Sequence, residues 1–390
     1  MTYDSIIAGA GFAGAVTARV LAEAGRRVLV LEQRPHVGGN AFDCLDESGI
    51  LIHQYGPHIF HTNDKTVFDF LSRFTVWRTY EHEVVANLPA ENGRMELPVP
   101  FNLASLRLAF GPERSAQLQE KLISAYGAGT KVTILQLREA TDPALSDLAQ
   151  YVYDHIFVRY TMKQWGQTPE EIDPAVTARV PVFLSEDCRY FQDTYQGMPL
   201  HGYTALFENM LRHDNIDLRL NTDAREHLRF ENGTILLDGA EFTGDVIYSG
   251  PADELFGCCF GRLPYRTLDF KFETFPADVV QSHGTVNYTM DEDYTRITEF
   301  KHLTGQVRPG ITTTVKEYSR AYTGADGEIP YYAIANADTA ALYAKYAEKA
   351  AQFPRLHLLG RLAEYRYYNM DAIVAGALAL SRKLIGESAC

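Results

Sequence analysis

"IIAGAGFAGAVTARV", residues 6–20, is the stretch that decides the fold. Ile6 and Ile7 read as a strand, Gly9, Gly11 and Gly14 as a tight turn around Phe12, and Ala15 to Ala24 as a helix. Each glycine has its own task. Gly9 permits the sharp turn, Gly11 lets a pyrophosphate approach the backbone, and Gly14 lets the helix lie close to the strand. A second apolar run, "RVLVLEQR", ends on Glu32, where a carboxylate is placed to hydrogen-bond a ribose hydroxyl. Strand, turn, helix, strand and acid in this order predict a Rossmann-like unit that binds a dinucleotide. "RPHVGGNAF" follows at 34–42 and puts Gly38, Gly39 and Asn40 just past the acid. A second glycine turn there brings more N–H groups toward a phosphate or ribityl chain.

Composition narrows the setting. At 390 residues the chain is long enough for two or three domains. Its 36 basic against 50 acidic residues leave a net charge of −14, which argues against nucleic acid or an anionic membrane as partner. An anionic substrate must therefore be held by arginines gathered locally. The five cysteines (Cys44, Cys188, Cys258, Cys259, Cys390) are odd in number and lack a C-x-x-C spacing, so neither a disulfide framework nor a metal site is expected. The start of the chain runs straight into a strand without a leader, and the longest apolar stretch, "AIVAGALAL", is too short to span a bilayer. A cytoplasmic protein is expected. Tyrosine (23) and phenylalanine (21) far outnumber tryptophan (2), which suits an amphipathic pocket for sugars or bases.

The patterning changes along the chain. "ILIHQYGPHIFHT" is an apolar strand broken at Gly56-Pro57, and "YEHEVVANL" with "RMELPVPF" reads as a hairpin around Glu91-Asn92-Gly93. Residues 102–165 are mostly helical, and prolines 169, 174 and 181 then make a loop of "GQTPEEIDPAVTARVPV". From 267 to 333 the chain alternates as strands do, before a helix, the buried strand "LHLLGR" and a closing helix from "NMDAIV" onward. These blocks predict an α/β fold: a discontinuous Rossmann-like domain (1–78, 198–252 and 340–390) with an inserted helical domain (102–190) and an antiparallel sheet domain (79–101 and 253–339).

Two stretches draw attention as chemistry. "YTMKQWG" (160–166) ends a helix beside a hinge-like glycine, so Tyr160 and Trp165 could stack a base or sugar, or simply pack on a core. "YTRITEF" places Arg296 in a strand, on one face with Tyr294 and Thr298.

GAGFAGAV, VGGN, YGPHIFHT, YTMKQWG, PLHGYTALFENM, YSGP, GRLPYRTLDF, YTRITEF, KEYSRA, IPYY and GRLAEYRYYNMD occur in this order. Together they resemble the bacterial UDP-galactopyranose mutase family from about residue 3 to the end. The glycine turns alone also resemble the FAD-binding part of amine oxidases. The resemblance implies that UDP-galactopyranose and UDP-galactofuranose are interconverted with FAD in its reduced form, whose N5 attacks the anomeric carbon with no net redox. It implies that Arg179, on a mobile loop at about 166–180, and Arg296 clamp the diphosphate. It places Phe157, Tyr160, Thr161 and Trp165 around uridine, with Asn287 on the nucleotide. Tyr190, Tyr332, Tyr367 and Arg266 would line the phosphate and sugar pocket, and Asn369, where many relatives carry Asp, would reach a sugar hydroxyl. His58 and His61 would lie by the flavin, with the His61 ring expected to face N5. Arg361 would sit beside the flavin, and Met370 and Asp371 would begin a helix aimed at its pyrimidine. An electron donor and a homo-oligomer are implied as well. Two rivals stand beside this reading: an FAD oxidase, and a nucleotide-sugar binding protein with a structural FAD.

Overall fold

The structure, a computed structural model, describes residues 3–168 and 181–386. Strands β1 (Ser5–Ala8) and β2 (Val28–Leu31) run parallel with helix α1 (Phe12–Glu23) between them. All eight strand residues are buried, as in a parallel sheet covered on both faces. Residues 216–219 extend the sheet beyond β2, and 245–248 and 356–358 extend it beyond β1, giving five parallel strands. The helix begins at Phe12, three residues before the sequence reading. Gly11 is its extended N-cap, with φ −81° and ψ −170°, so Gly14 already lies inside the helix. A Cβ on Gly14 would stand 1.9 Å from Gly9 O, which is why the third glycine is required.

Two long departures from this sheet build the rest of the site. The helices Leu103–Tyr126, Ile134–Arg138 and Pro143–Val152 lead through a π-helical turn, Tyr153–Phe157, into α2 (Val158–Trp165). Their apolar faces make a separate core of leucines with Ile156 and Phe157. Most of the proline-punctuated loop, residues 169–180 with Arg179, lies outside the described residues. At 182–183 the chain pairs with Lys131–Val132, a short ladder absent from the helical reading of this region.

A seven-stranded sheet draws five of its strands from the second excursion. It contains β3 (Tyr265–Phe275), β4 (Thr285–Asn287), β5 (Arg296–Glu299), β6 (Thr312–Ala321) and β7 (Tyr332–Ala333), together with the hairpin Val84–Ala90 and Gly93–Val99. The hairpin closes as read, with Ala90 opposite Gly93. The sheet is mixed rather than wholly antiparallel, because β4 joins Val84–Ala90 in parallel. β8 (Leu356–Leu358) then returns to the Rossmann sheet, and α3 (Met370–Ile385) packs on α1. Among the described residues no helix is long and apolar enough to cross a membrane.

Candidate active site

A cavity of about 710 Å³ opens where β1 gives way to α1. Gly9, Gly11 and Phe12 form one wall and Gly38, Gly39 and Asn40 the next. The two glycine turns touch: Gly38 N donates to Ala10 O at 2.9 Å, and a Cβ on Gly11 would lie 3.7 Å from Gly39 Cα. That is ordinary contact, so the protein itself would tolerate a methyl at Gly11, and only a ligand in the cavity would meet it. Glu32 is 4% exposed and lines the cavity, yet its carboxylate already accepts Ala10 N–H at 2.7 Å and Arg34 N–H at 2.9 Å. It ties the glycine turn to the end of β2 and keeps lone pairs for a ribose hydroxyl.

Arg34 was not anticipated from sequence. It lines the same wall, donates to Asn40 Oδ1 at 2.9 Å and lies 4.5 Å over the Tyr55 ring. Its Nη1 is buried with no partner among the described residues, so it could hold an anionic group in the cavity. The signal was an arginine two residues past the acid. Met370 and Ile373 bring the N-terminus of α3 to the cavity, where its N–H groups favour negative charge. Asp371 does not line it, since its carboxylate accepts Thr62 Oγ1 at 3.0 Å and Ala372 N–H at 2.8 Å.

The two histidines part company. His58 lines the cavity, while His61 does not. Instead the His61 ring stacks on Phe191 at 3.6 Å and its Nδ1 lies 2.9 Å from Asp193 Oδ2. The reason is alternation: His61 sits inside the strand Phe60–Thr62, paired to Gln196, whereas His58 lies in the turn before it. His58 Nδ1 lies 2.8 Å from Gly56 O, an acceptor only, so the proton sits on Nδ1 and Nε2 is left as an acceptor. Burial first, then the His53 ring and the Arg361 and Arg296 charges, push His58 down to about 3. It is neutral at physiological pH.

Beside the cavity lies a second group of residues, built from side chains. Trp165, at the end of α2, stands 5.2 Å from Tyr332 and 5.5 Å from Tyr367, which are 5.5 Å from each other. Arg361 lines the cavity and lies 5.0 Å over the Tyr367 ring, joining the two groups. Arg296 on β5 donates its Nε to Glu317 Oε1 on β6 at 2.7 Å, and the strand register sets the two opposite. Glu317 is fully buried, so the pair keeps Arg296 charged and leaves its two terminal nitrogens for another anion. The Tyr160 phenol is pushed up by burial and senses the charges of Arg296 and Glu317 and the phenols of Tyr190 and Tyr332, which places it in the same group. Asn287 lies opposite Arg296 across β4 and β5 and is 7% exposed.

Four further candidates, Arg266, Phe157, Thr161 and Asn369, each have a structural setting of their own. Arg266 caps α2: its Nε donates to Gln164 O at 3.2 Å and its Nη2 to Lys163 O at 3.1 Å, with no carboxylate partner among the described residues. A cation facing a helix C-terminus satisfies carbonyls that would otherwise be orphaned. Phe157 and Thr161 are 6% and 8% exposed, and Phe157 belongs to the helical core. Asn369 is the N-cap residue of α3 without a side-chain cap bond. Among the described residues no cluster of His, Cys, Asp and Glu is placed to hold a metal ion.

A backbone cradle abutting a pocket of aromatic rings and arginines defines the class: an α/β protein with a Rossmann-like dinucleotide-binding domain and a second, cationic and ring-lined pocket beside it. Residues 7–74 match the NAD(P)-binding Rossmann-like domain, and residues 155–367 match UDP-galactopyranose mutases. A UDP-galactopyranose mutase of Mycoplasma pneumoniae is 37% identical over 98% of this chain and 96% of its own. A dTDP-fucopyranose mutase of Escherichia coli is 36% identical over 97% of this chain and 98% of its own. A crystal structure of reduced UDP-galactopyranose mutase has the same fold, with a TM-score of 0.68 at 15% identity, covering 99% of this chain and 94% of that one. The chain belongs to the UDP-galactopyranose mutase family.

Proposed function

We propose that this protein is a flavin-dependent mutase that interconverts UDP-galactopyranose and UDP-galactofuranose. The observation that carries the reading is the contact, through Arg361 and Tyr367, between a dinucleotide cavity and a pocket of rings and arginines. Three features of the cavity suit an FAD molecule. Gly11 lines it and a methyl there would come no closer than 3.7 Å to the protein, Arg34 keeps a buried donor unspent, and a helix N-terminus faces it. The flavin, when bound and reduced, supplies N5 as a nucleophile toward the anomeric carbon, with no net redox.

The chain's own residues do the rest. The terminal nitrogens of Arg296, with Glu317 holding its Nε, bind the diphosphate and neutralise the charge that grows as it departs. Arg179 is assigned the same task on sequence alone. Tyr160 and Trp165 stack the uracil, with Asn287 near the nucleotide and Tyr190, Tyr332 and Tyr367 along the phosphates and sugar. Neutral His58 offers Nε2 as an acceptor beside the flavin. The N-terminus of α3 stabilises the anionic reduced ring. An electron donor keeps the flavin reduced, and the enzyme acts as a cytoplasmic homo-oligomer.

The similarity to the dTDP-fucopyranose mutase favours a second substrate reading, a 6-deoxy sugar on a thymidine diphosphate. Reduced protein incubated separately with UDP-galactopyranose and dTDP-fucopyranose, followed by separation of the nucleotide sugars, decides between them. Conversion of the galactose substrate at the higher kcat/KM is expected. Preference for the fucose substrate transfers the assignment, and conversion of neither removes it.

A further inference from the structure

The turn from Gly360 to Asn369 carries the chain from β8 into α3 and touches both halves of the site. Arg361 faces the cavity, and Tyr367 stands against Trp165 and Tyr332. Three ties fix its shape. Glu364 Oε2 accepts Gly360 N–H at 2.8 Å and also the Tyr368 hydroxyl, so one oxygen joins the start of the turn to its end. Arg361 Nε donates to Tyr368 O at 2.5 Å. Tyr365 sits at the far side with φ +48°, a left-handed conformation that a non-glycine residue keeps only where its surroundings impose it. Here they do. Its side chain is buried against Tyr265 and Tyr343, and its hydroxyl lies 2.6 Å from Pro264 O and 3.0 Å from Ile334 O. Those carbonyls flank β3 and β7, the strands of Arg266 and Tyr332. The turn is thus stapled to itself and pinned to the sheet that bears the aromatic pocket.

We propose that Glu364 and Tyr365 are positioning residues for the reaction: they hold this turn so that Arg361 and Tyr367 keep a set spacing between cofactor and nucleotide sugar. Neither lines the cavity, and both act through the two residues they hold. The inference rests on the functional reading above. Its physical ground is that reacting groups must be held close to attack geometry, and displacement by about 1 Å can cost roughly 100-fold in rate.

The test compares flavin-loaded wild type with Glu364→Ala, Glu364→Gln and Tyr365→Phe. One oxygen accepts both bonds to Glu364, so the amide oxygen of glutamine can replace it, whereas alanine cannot. Glu364→Ala and Tyr365→Phe are expected to lower kcat by about tenfold or more, with KM and flavin per chain nearly unchanged. Glu364→Gln is expected to stay close to wild type. Trp165 lies beside Tyr367 while Trp77 stacks on Phe60 elsewhere, so substrate-free tryptophan emission should shift in the two impaired variants and return in Glu364→Gln. Three results would overturn the proposal. They are unchanged kcat in both impaired variants, a lower melting temperature with kcat intact, or a Glu364→Gln loss as deep as that of Glu364→Ala. If wild type converts no nucleotide sugar, the functional reading fails, and the emission comparison alone decides whether the ties hold the turn.

Discussion

The dinucleotide cavity is made mostly of backbone, and the ring-and-arginine pocket beside it is made of side chains. In the first, Gly9, Gly11, Gly38 and Gly39 shape the wall by what they lack, and the groups they offer are N–H donors. In the second, Trp165, Tyr332, Tyr367, Arg296 and Glu317 come from five separate segments and act by what they present. The two halves should therefore fail in opposite ways. The cradle is broken by adding an atom, and the pocket by removing one.

The largest expected effect separates two glycines within the cradle. Gly14→Ala puts a Cβ 1.9 Å from Gly9 O and 3.0 Å from Ile7 Cγ2, backbone and core that cannot yield, so soluble folded protein should be lost. Gly11→Ala meets nothing closer than 3.7 Å and has an ordinary φ, so the chain should fold with a normal circular dichroism spectrum yet retain no flavin. Yellow Gly11→Ala protein would show that the pyrophosphate does not pass there.

In the other half, Arg296 is the next largest. Arg296→Ala would strand Glu317 as a buried, unpaired carboxylate, which costs about 3–5 kcal/mol of stability and confuses the result. Arg296→Lys keeps a cation against Glu317 but loses the planar fork. It should lower kcat by about 100-fold, an effect of roughly 3 kcal/mol, with flavin content unchanged. Arg179→Ala should act in the same direction. Full turnover in either variant would remove that arginine from the diphosphate clamp.

Much of the cradle was legible because a backbone demand leaves a trace in composition: few residues but glycine can stand where a Cβ would collide. The helix starts three residues earlier than the sequence suggests, since nothing in "GFAG" says that Gly11 is extended. The pocket was legible only through its resemblance to a family. Arg266 shows why. A sequence cannot tell an arginine that donates to the carbonyls of Lys163 and Gln164 from one that faces a phosphate. Glu317 escaped for a related reason, because its role depends on the antiparallel register that sets it opposite Arg296. His58 and His61 were distinguishable only once strand Phe60–Thr62 fixed which ring turned away.

A further effect, on stability rather than on turnover, concerns pH. Burial holds His53 at about 4, His58 at about 3 and His82, whose buried ring lies 5.8 Å from that of Tyr190, at about 3, against 6.5 for an exposed ring. Between those values the unfolded chain binds protons that the folded chain does not, so stability rises with pH there and falls as the medium is acidified below about 6.5. Each histidine contributes roughly 1 kcal/mol per pH unit in this window. The melting temperature should be lower at pH 5.5 than at pH 7, and His82→Gln should narrow the difference. Equal melting temperatures at both pH values for wild type would mean that these rings are not held neutral.

The most direct test of the central claim, a redox cofactor used without net redox, is anaerobic turnover of UDP-galactopyranose by reduced enzyme with no reductant left in solution. Formation of UDP-galactofuranose and the visible spectrum of the flavin are followed together. The account predicts many turnovers per flavin while the spectrum stays that of the reduced form, and none when the flavin is first oxidised. Equal rates with oxidised flavin, or one flavin oxidised for each product formed, would contradict it.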